Sequence, residues 1–235
     1  MGAVSQQPTV GNYLQYVATN MGRDKTMRCL QYYGKFYAWY LTRTNGTKDQ
    51  IAPWSALMTQ VAMVRKVMRT GKFVEHFRNA LKAFSNKGAD PALRYMTVVR
   101  HLVFTLFLLF DSSTVLHALG IVKMSKERAK KLGHETLRFW ALAIFSDMLV
   151  NAYRLVLLSE RAAMVDKKEA DGVVEHRKIT KERSEIRTKL ICSALDITAP
   201  TAGLKWAKFD DGLVGLSGII SSFISVSAEW SRLRD

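Results

Sequence analysis

The stretch DGLVGLSGIISSFISVSAE, residues 211–229, decides how the chain is read. From Gly212 to Ala228 it runs seventeen residues without a charge, fenced by Asp210 and Asp211 before and Glu229 after. That length is the lower limit for crossing a bilayer as a helix. Gly212, Gly215 and Gly218 recur every three residues, and Ser217, Ser221 and Ser225 every four. Small residues at these spacings make a groove into which another helix can settle closely in lipid. Glycine disfavours helix in water, so this density argues against an ordinary surface helix. The segment is therefore read as a transmembrane helix with a helix-association face at Gly212, Gly215, Gly218, Ser221 and Ser225. Its competitor is a buried helix in the core of a soluble bundle.

Two further apolar segments lie upstream. Leu102 to Val122 is interrupted by Asp111 and His117, and Leu137 to Leu158 by Asp147 and Arg154. A carboxylate near the centre of a span costs roughly 2.5–3.5 kcal/mol unless it is paired within a bundle. Three placements stay open for these segments: spanning, interfacial, or packed in a water-facing core. Between them and residue 211 lies a charged stretch, Asp166 to Lys189, with eight basic and six acidic residues. It reads as a solvated helix, with an interaction tether as the alternative. Only four prolines occur, and apolar–polar alternation is not sustained anywhere. The expected fold is all-α: a multi-helix membrane protein with N-terminal amphipathic helices and C-terminal hydrophobic, membrane-embedded helices.

The N-terminal part carries most of the excess positive charge. Residues 1–90 hold thirteen Lys and Arg against four Asp and Glu. A first helix is expected from Thr9 to about Thr19, a break at Gly22, and a second helix from Arg23 to Arg43. Residues 44–47 (Thr-Asn-Gly-Thr) form a turn. A third helix is expected from Pro53 to Ser85, with Gly88 as a stop. Four regions follow: a basic amphipathic region (1–90), an apolar hairpin (91–165), a charged helical connector (166–205) and a C-terminal membrane segment (206–235).

Within the third helix, Leu57, Val61, Val64 and Met68 share one face at 3.6-residue spacing, with Val67 at its edge. Arg65, Lys66, Arg69 and Lys72 occupy the other side. An apolar stripe flanked by cations is the pattern of a helix lying in the bilayer interface, each cation adding on the order of 1 kcal/mol on an anionic surface. Beyond Gly71 a second apolar face, Phe73, Phe77, Ala80, Leu81 and Phe84, is rotated by roughly half a turn, so a kink at Gly71 is expected. The alternative is that both stripes are core faces of a helical bundle.

The whole chain, 235 residues at a formal charge of +15, calls for a polyanionic partner, either anionic lipid or nucleic acid. Cys29 and Cys192 show no metal-ligand spacing and read as idle thiols. His76, His101, His117, His134 and His176 are scattered, and no nucleophile elbow, phosphate loop, zinc-protease or dinucleotide motif occurs. Neither an enzyme activity nor a cofactor or metal is expected. The first residues match no secretory or myristoylation signal and the last match no peroxisomal or endoplasmic-reticulum address, so targeting is expected to lie inside the chain.

Three separated stretches together resemble the peroxin-eleven family of fungal type. Gly22-Arg23-Asp24-Lys25, followed by Arg28 and Leu30-Gln31-Tyr32, is similar to its N-terminal signature. Residues Val64 to Lys72 resemble its basic amphipathic helix, and Asp211 to Gly218 its Gly-rich C-terminal segment. The resemblance implies a peroxisomal membrane protein that inserts an amphipathic helix into one leaflet and drives curvature, elongation and proliferation of the organelle. It further implies self-association and recruitment of a fission machinery that includes a dynamin-like GTPase. Family members have also been discussed as pores for small metabolites.

Three functions compete. Membrane remodelling would use Leu57, Val61, Val64, Arg65, Lys66, Met68, Arg69, Lys72, Phe73, Phe77 and Leu81 against anionic lipid. A solute channel would turn Asp111, Asp147 and Arg154 toward a pore. A soluble nucleic-acid-binding bundle is permitted by charge, but the basic residues are not interleaved with aromatics as in a binding module, so no nucleic-acid partner is expected.

Overall fold

The computed structural model describes residues 8–165 and 170–232. Its elements are α1 (Pro8–Ala18), α2 (Asn20–Arg43), α3 (Lys48–Met68), α4 (Lys72–Ser85), α5 (Pro91–Ala118), α6 (Lys126–Met164), α7 (Ala170–Asp196), α8 (Thr198–Gly203) and α9 (Asp211–Arg232). Among the described residues there is no strand, as the all-α expectation required.

The helix starts follow local chemistry. Thr19 and Ser125 each accept from an orphan backbone N–H three residues inward, Gly22 N for α2 and Arg128 N for α6. Thr47 and Gln50 form a reciprocal capping box on α3. Asp90 caps α5 at Leu93 N (2.8 Å), with Pro91 at the first helical position. Asp210 caps α9 at Leu213 N, also at 2.8 Å.

Several expected boundaries are corrected. Gly22 does not break the chain but sits in the first turn of α2, where a side chain would collide with the Tyr16 carbonyl. The third helix begins at Lys48 rather than Pro53, because the capping box fixes the start and Pro53 is tolerated within the opening turns. It is also two helices. Gly71, at φ 86°, takes the left-handed conformation that a side chain resists, and the ladder stops there. The end is as expected: α4 stops at Ser85, with Asn86 as its C-cap ahead of Gly88.

Two sets of antiparallel neighbours build the molecule. Helix α2 packs between α3 and α9, while α5 packs between α4 and α6. Helix α7 joins the sets by lying along α6 and α9, and α8 braces α6 and α9. The charged stretch is thus part of α7. Ile179 and Ile186, two turns apart, are buried with Leu158 of α6, and Leu155, Ala162, Val165 and Leu190 pack around them. One seam of α7 is apolar and the rest is solvated; residues 166–169 of that stretch lie outside the described residues.

Three helices, α5, α6 and α9, are long and apolar enough to cross a membrane.

Candidate membrane interface

Helices α5, α6 and α9 bury polar groups while large apolar side chains face outward. Asp111 and Asn151 are 2% exposed, and Ser221 and Ser222 are fully buried. Leu106, Leu109, Leu142, Phe145 and Leu149 on α5 and α6 face outward, as do Leu213, Leu216, Ile220 and Phe223 on α9. In water this arrangement would forgo the burial that drives folding; in hydrocarbon it is the low-energy one.

The interior polar groups are paired. Asp111 accepts from Arg69 Nε at 2.6 Å and lies 3.2 Å from Lys66 Nζ, which also donates to Thr114 Oγ1 at 3.0 Å. Asp147 accepts from Arg100 at 2.7 Å and from Asn151 at 2.9 Å, with the Ser193 hydroxyl at 3.4 Å. Arg28 of α2 is paired with Asp196 of α7 and donates to the Ser221 hydroxyl of α9 at 3.0 Å. Both carboxylates within the apolar segments are therefore neutralised inside the bundle, which offsets the insertion cost of each. Arg154 belongs to neither cluster.

The cationic side of α3 accordingly faces inward. Arg65 donates to Asp24 at 2.9 Å and to Gln31 at 2.6 Å, and Lys66 and Arg69 hold Asp111. Of the predicted lipid stripe, Leu57, Val61 and Met68 are half-buried, and Leu57 lies beside Gly34 where α2 and α3 approach closely. Val64 and Val67 remain exposed. The expectation that Arg65, Lys66 and Arg69 form an open, lipid-facing side of the helix is corrected: the half-buried Asp24 of α2 and the buried Asp111 of α5 pair with them. Lys72 opens α4 and is half-buried.

Helix α4 has the outward apolar face. Val74, Phe77, Leu81 and Phe84, at successive three- and four-residue steps, are each about half exposed. Arg78 and Lys82 flank them and are exposed. Ala80 is buried, and Phe73, His76 and Ala83 are half-buried on the side toward α5. His76 stacks on Phe104 (4.9 Å between centroids), and its Nδ1 lies 3.2 Å from Nδ1 of His101. Burial lowers the His76 pKa, and the nearby cations Arg100 and Lys72 act in the same direction. Phe77 and Leu81 are thus on the exposed stripe, Phe73 is beneath it, and Val74 was missed because the sequence pattern was centred one residue away.

The small-residue face of α9 is also assigned. A side chain at Gly212 would meet the Trp39 ring at 2.5 Å, and one at Gly215 the Phe36 Cβ and backbone N at 2.8 Å. At Gly218 the Tyr32 ring is closer still, and Ser221 touches Arg28. Ser225, half-buried, donates to the Ser221 carbonyl at 2.8 Å. The face does associate with a helix, but that helix is α2 of the same chain, so the groove is filled and is not open to a second copy. Three large aromatics on α2 opposite three glycines on α9 was the signal in the sequence that could have found the pair.

The N-terminal motif serves the same junction. Gly22 lets α1 approach α2, Arg23 donates to Asn20 at 3.0 Å on the surface, and Asp24 ties α2 to α3. Burial alone would raise the Asp24 carboxyl, but the charge and hydrogen bond of Arg65 more than offset it and hold its pKa low. Burial pulls the Lys25 ammonium below its usual range. Asp196, Asp210 and Asp211 were missed as structural partners; the last holds Lys35 at 2.6 Å.

Comparison with known proteins gives a family and several relatives over nearly the whole chain. The family described as Peroxisomal biogenesis factor 11 (PEX11) matches residues 10–230. Peroxisomal membrane protein PMP30A of Candida boidinii is 23% identical, covering 99% of this chain and 98% of its own length. Peroxisomal biogenesis factor 11 of Schizosaccharomyces pombe is 25% identical over 98% of both chains. Peroxisomal membrane protein PMP27 of Saccharomyces cerevisiae is 23% identical over 95% of both. No solved structure matches the chain.

Proposed function

The chain belongs to the PEX11 family and lies in the peroxisomal membrane, and from that premise we propose that it remodels this membrane through α4, which wedges into one leaflet, curves and elongates the organelle before fission, and so promotes proliferation. The family is one of biogenesis factors rather than an enzyme class.

The observation that carries the proposal is the outward stripe Val74, Phe77, Leu81 and Phe84 beside Arg78 and Lys82. Fully burying such a side chain is worth about 1.5–3 kcal/mol, so four half-exposed ones offer roughly 3–6 kcal/mol to an acyl boundary. The two flanking cations add on the order of 1 kcal/mol each on an anionic leaflet. That is sufficient for reversible insertion of a shallow helix, and a shallow helix widens the leaflet that holds it. The expected pore with Asp111 and Asp147 lining it is less well supported, because both carboxylates are held in separate ion-pair clusters.

The test uses the full chain in anionic liposomes, imaged by electron microscopy. Phe77→Glu with Leu81→Glu should abolish tubulation while the protein stays inserted. Undiminished tubulation by this double variant would refute the assignment of α4. Recruitment of a dynamin-like GTPase and self-association remain parts of the same proposal, tested by co-purification from the same proteoliposomes.

A further inference from the structure

Beneath α3, at the end of the α5–α6 hairpin, lies a cavity of about 410 Å³ lined by Lys66, Arg69, Asp111, Lys130, His134 and Trp140 among others. It shares Lys66, Arg69 and Trp140 with a second cavity of about 220 Å³ that is lined also by Arg28, Arg65 and Asp196. Their charges differ. In the inner cavity Arg28 is matched by Asp196 and Arg65 by Asp24. In the outer one three cations, Lys66, Arg69 and Lys130, face the single carboxylate of Asp111, which is 2% exposed. Lys130 makes no ion pair among the described residues.

The donors are likewise in excess. Arg69 hydrogen-bonds Asp111 through Nε alone, leaving the rest of its guanidinium fork available. A planar fork and two ammonium groups around a concave polar space suit the tetrahedral oxygens of phosphate. A surplus of two positive charges matches a phosphate carrying one or two negative ones.

The position narrows the source. Asp111 stands seven residues before the end of α5, and Lys130 four residues into α6. At about 1.5 Å per residue both are within roughly 10 Å of the connecting turn. That turn exposes Leu119, Ile121 and Val122 beside Lys123 and Lys126. Apolar side chains with lysines at the end of an apolar hairpin belong at headgroup depth, where basic pockets between helices take anionic headgroups.

We propose that Lys66, Arg69 and Lys130 form a binding site for one phosphate group, presented by the headgroup of an anionic phospholipid. The site is separate from the exposed stripe of α4 and stands whether or not that stripe tubulates membranes.

The experiment is native mass spectrometry of the full chain released from micelles containing phosphatidic acid or phosphatidylcholine, with thermal shift by inorganic phosphate as a second arm. Lys130→Glu is the informative variant, because Lys130 holds no partner whose loss would unfold the protein. Wild type should retain one phosphatidic acid and no phosphatidylcholine, and Lys130→Glu should weaken retention by at least about fivefold. Lys178→Glu, on the solvated side of α7, makes the same charge change far from the cavity and should leave retention intact. Stabilisation by inorganic phosphate that Lys130→Glu removes, without lipid retention, would keep the phosphate site but overturn the lipid as its source. Equal loss in both variants, or no loss in either, would overturn the site itself.

Discussion

Gly215→Ala tests whether α9 is seated on α2 or faces lipid. The added methyl carbon would stand 2.8 Å from Phe36 Cβ and Phe36 N and 2.9 Å from Phe36 Cα. Ordinary carbon contacts are about 3.5–4.0 Å, so α2 must retreat by roughly 0.7–1.2 Å. Two of the three obstructing atoms are backbone, so no rotamer change relieves the clash. Overpacking of this kind costs typically 1–3 kcal/mol, against a gain of about 1 kcal/mol from replacing glycine in a helix. The net expectation is about 0–2 kcal/mol of destabilisation. Gly133→Ala is the matched control: nothing lies within 4 Å of its hypothetical side chain, so it should stabilise by about 0.5–1 kcal/mol through propensity alone. The assay is thermal unfolding of the two variants in one detergent, together with protease cleavage between α8 and α9. If Gly215→Ala stabilises as much as Gly133→Ala, α9 does not pack on α2 and the whole α2–α9 seam is refuted.

Three other outcomes follow from the polar interior. Asp111→Asn should destabilise the α3–α5 contact by about 3–5 kcal/mol, since it leaves Lys66 and Arg69 beside a neutral amide, and hydrogen exchange in α3 reports it. Asp24, whose folded pKa lies below its ordinary 3.8, contributes stability that is fully present above the unfolded value and lost as pH falls through the folded one. The melting temperatures of wild type and Asp24→Asn should therefore separate above about pH 5 and converge as the pH falls below 3.8; parallel curves would contradict the Arg65 pairing. His76 is held neutral by burial, so acidification below its ordinary 6.5 charges the unfolded form first and weakens the docking of α4. Lower amide protection in α4 at about pH 5 than at pH 7.5, after correction for the intrinsic exchange rate at each pH and absent in His76→Phe, is the expected result.

The sequence by itself determined the helical class and the three apolar helices. Those features are local: a run without charge acts within a few turns of chain. It also located the break at Gly71, since a change of apolar face between Met68 and Phe73 needs a residue that tolerates positive φ. It did not reveal which side of α3 is outside. Arg65, Lys66 and Arg69 beside an apolar stripe look alike whether their counter-charge is lipid phosphate or a carboxylate at residue 24 or 111. Only the tertiary structure, by bringing α2 and α5 against α3, supplied those carboxylates and turned the cations inward. The Gly/Ser face of α9 was legible as a groove, but its occupant was not. Tyr32, Phe36 and Trp39 lie some 180 residues upstream, and no local pattern records which distant helix fills a groove. Periodicity fixes what a face is made of; the fold decides whether lipid, water or another helix meets it.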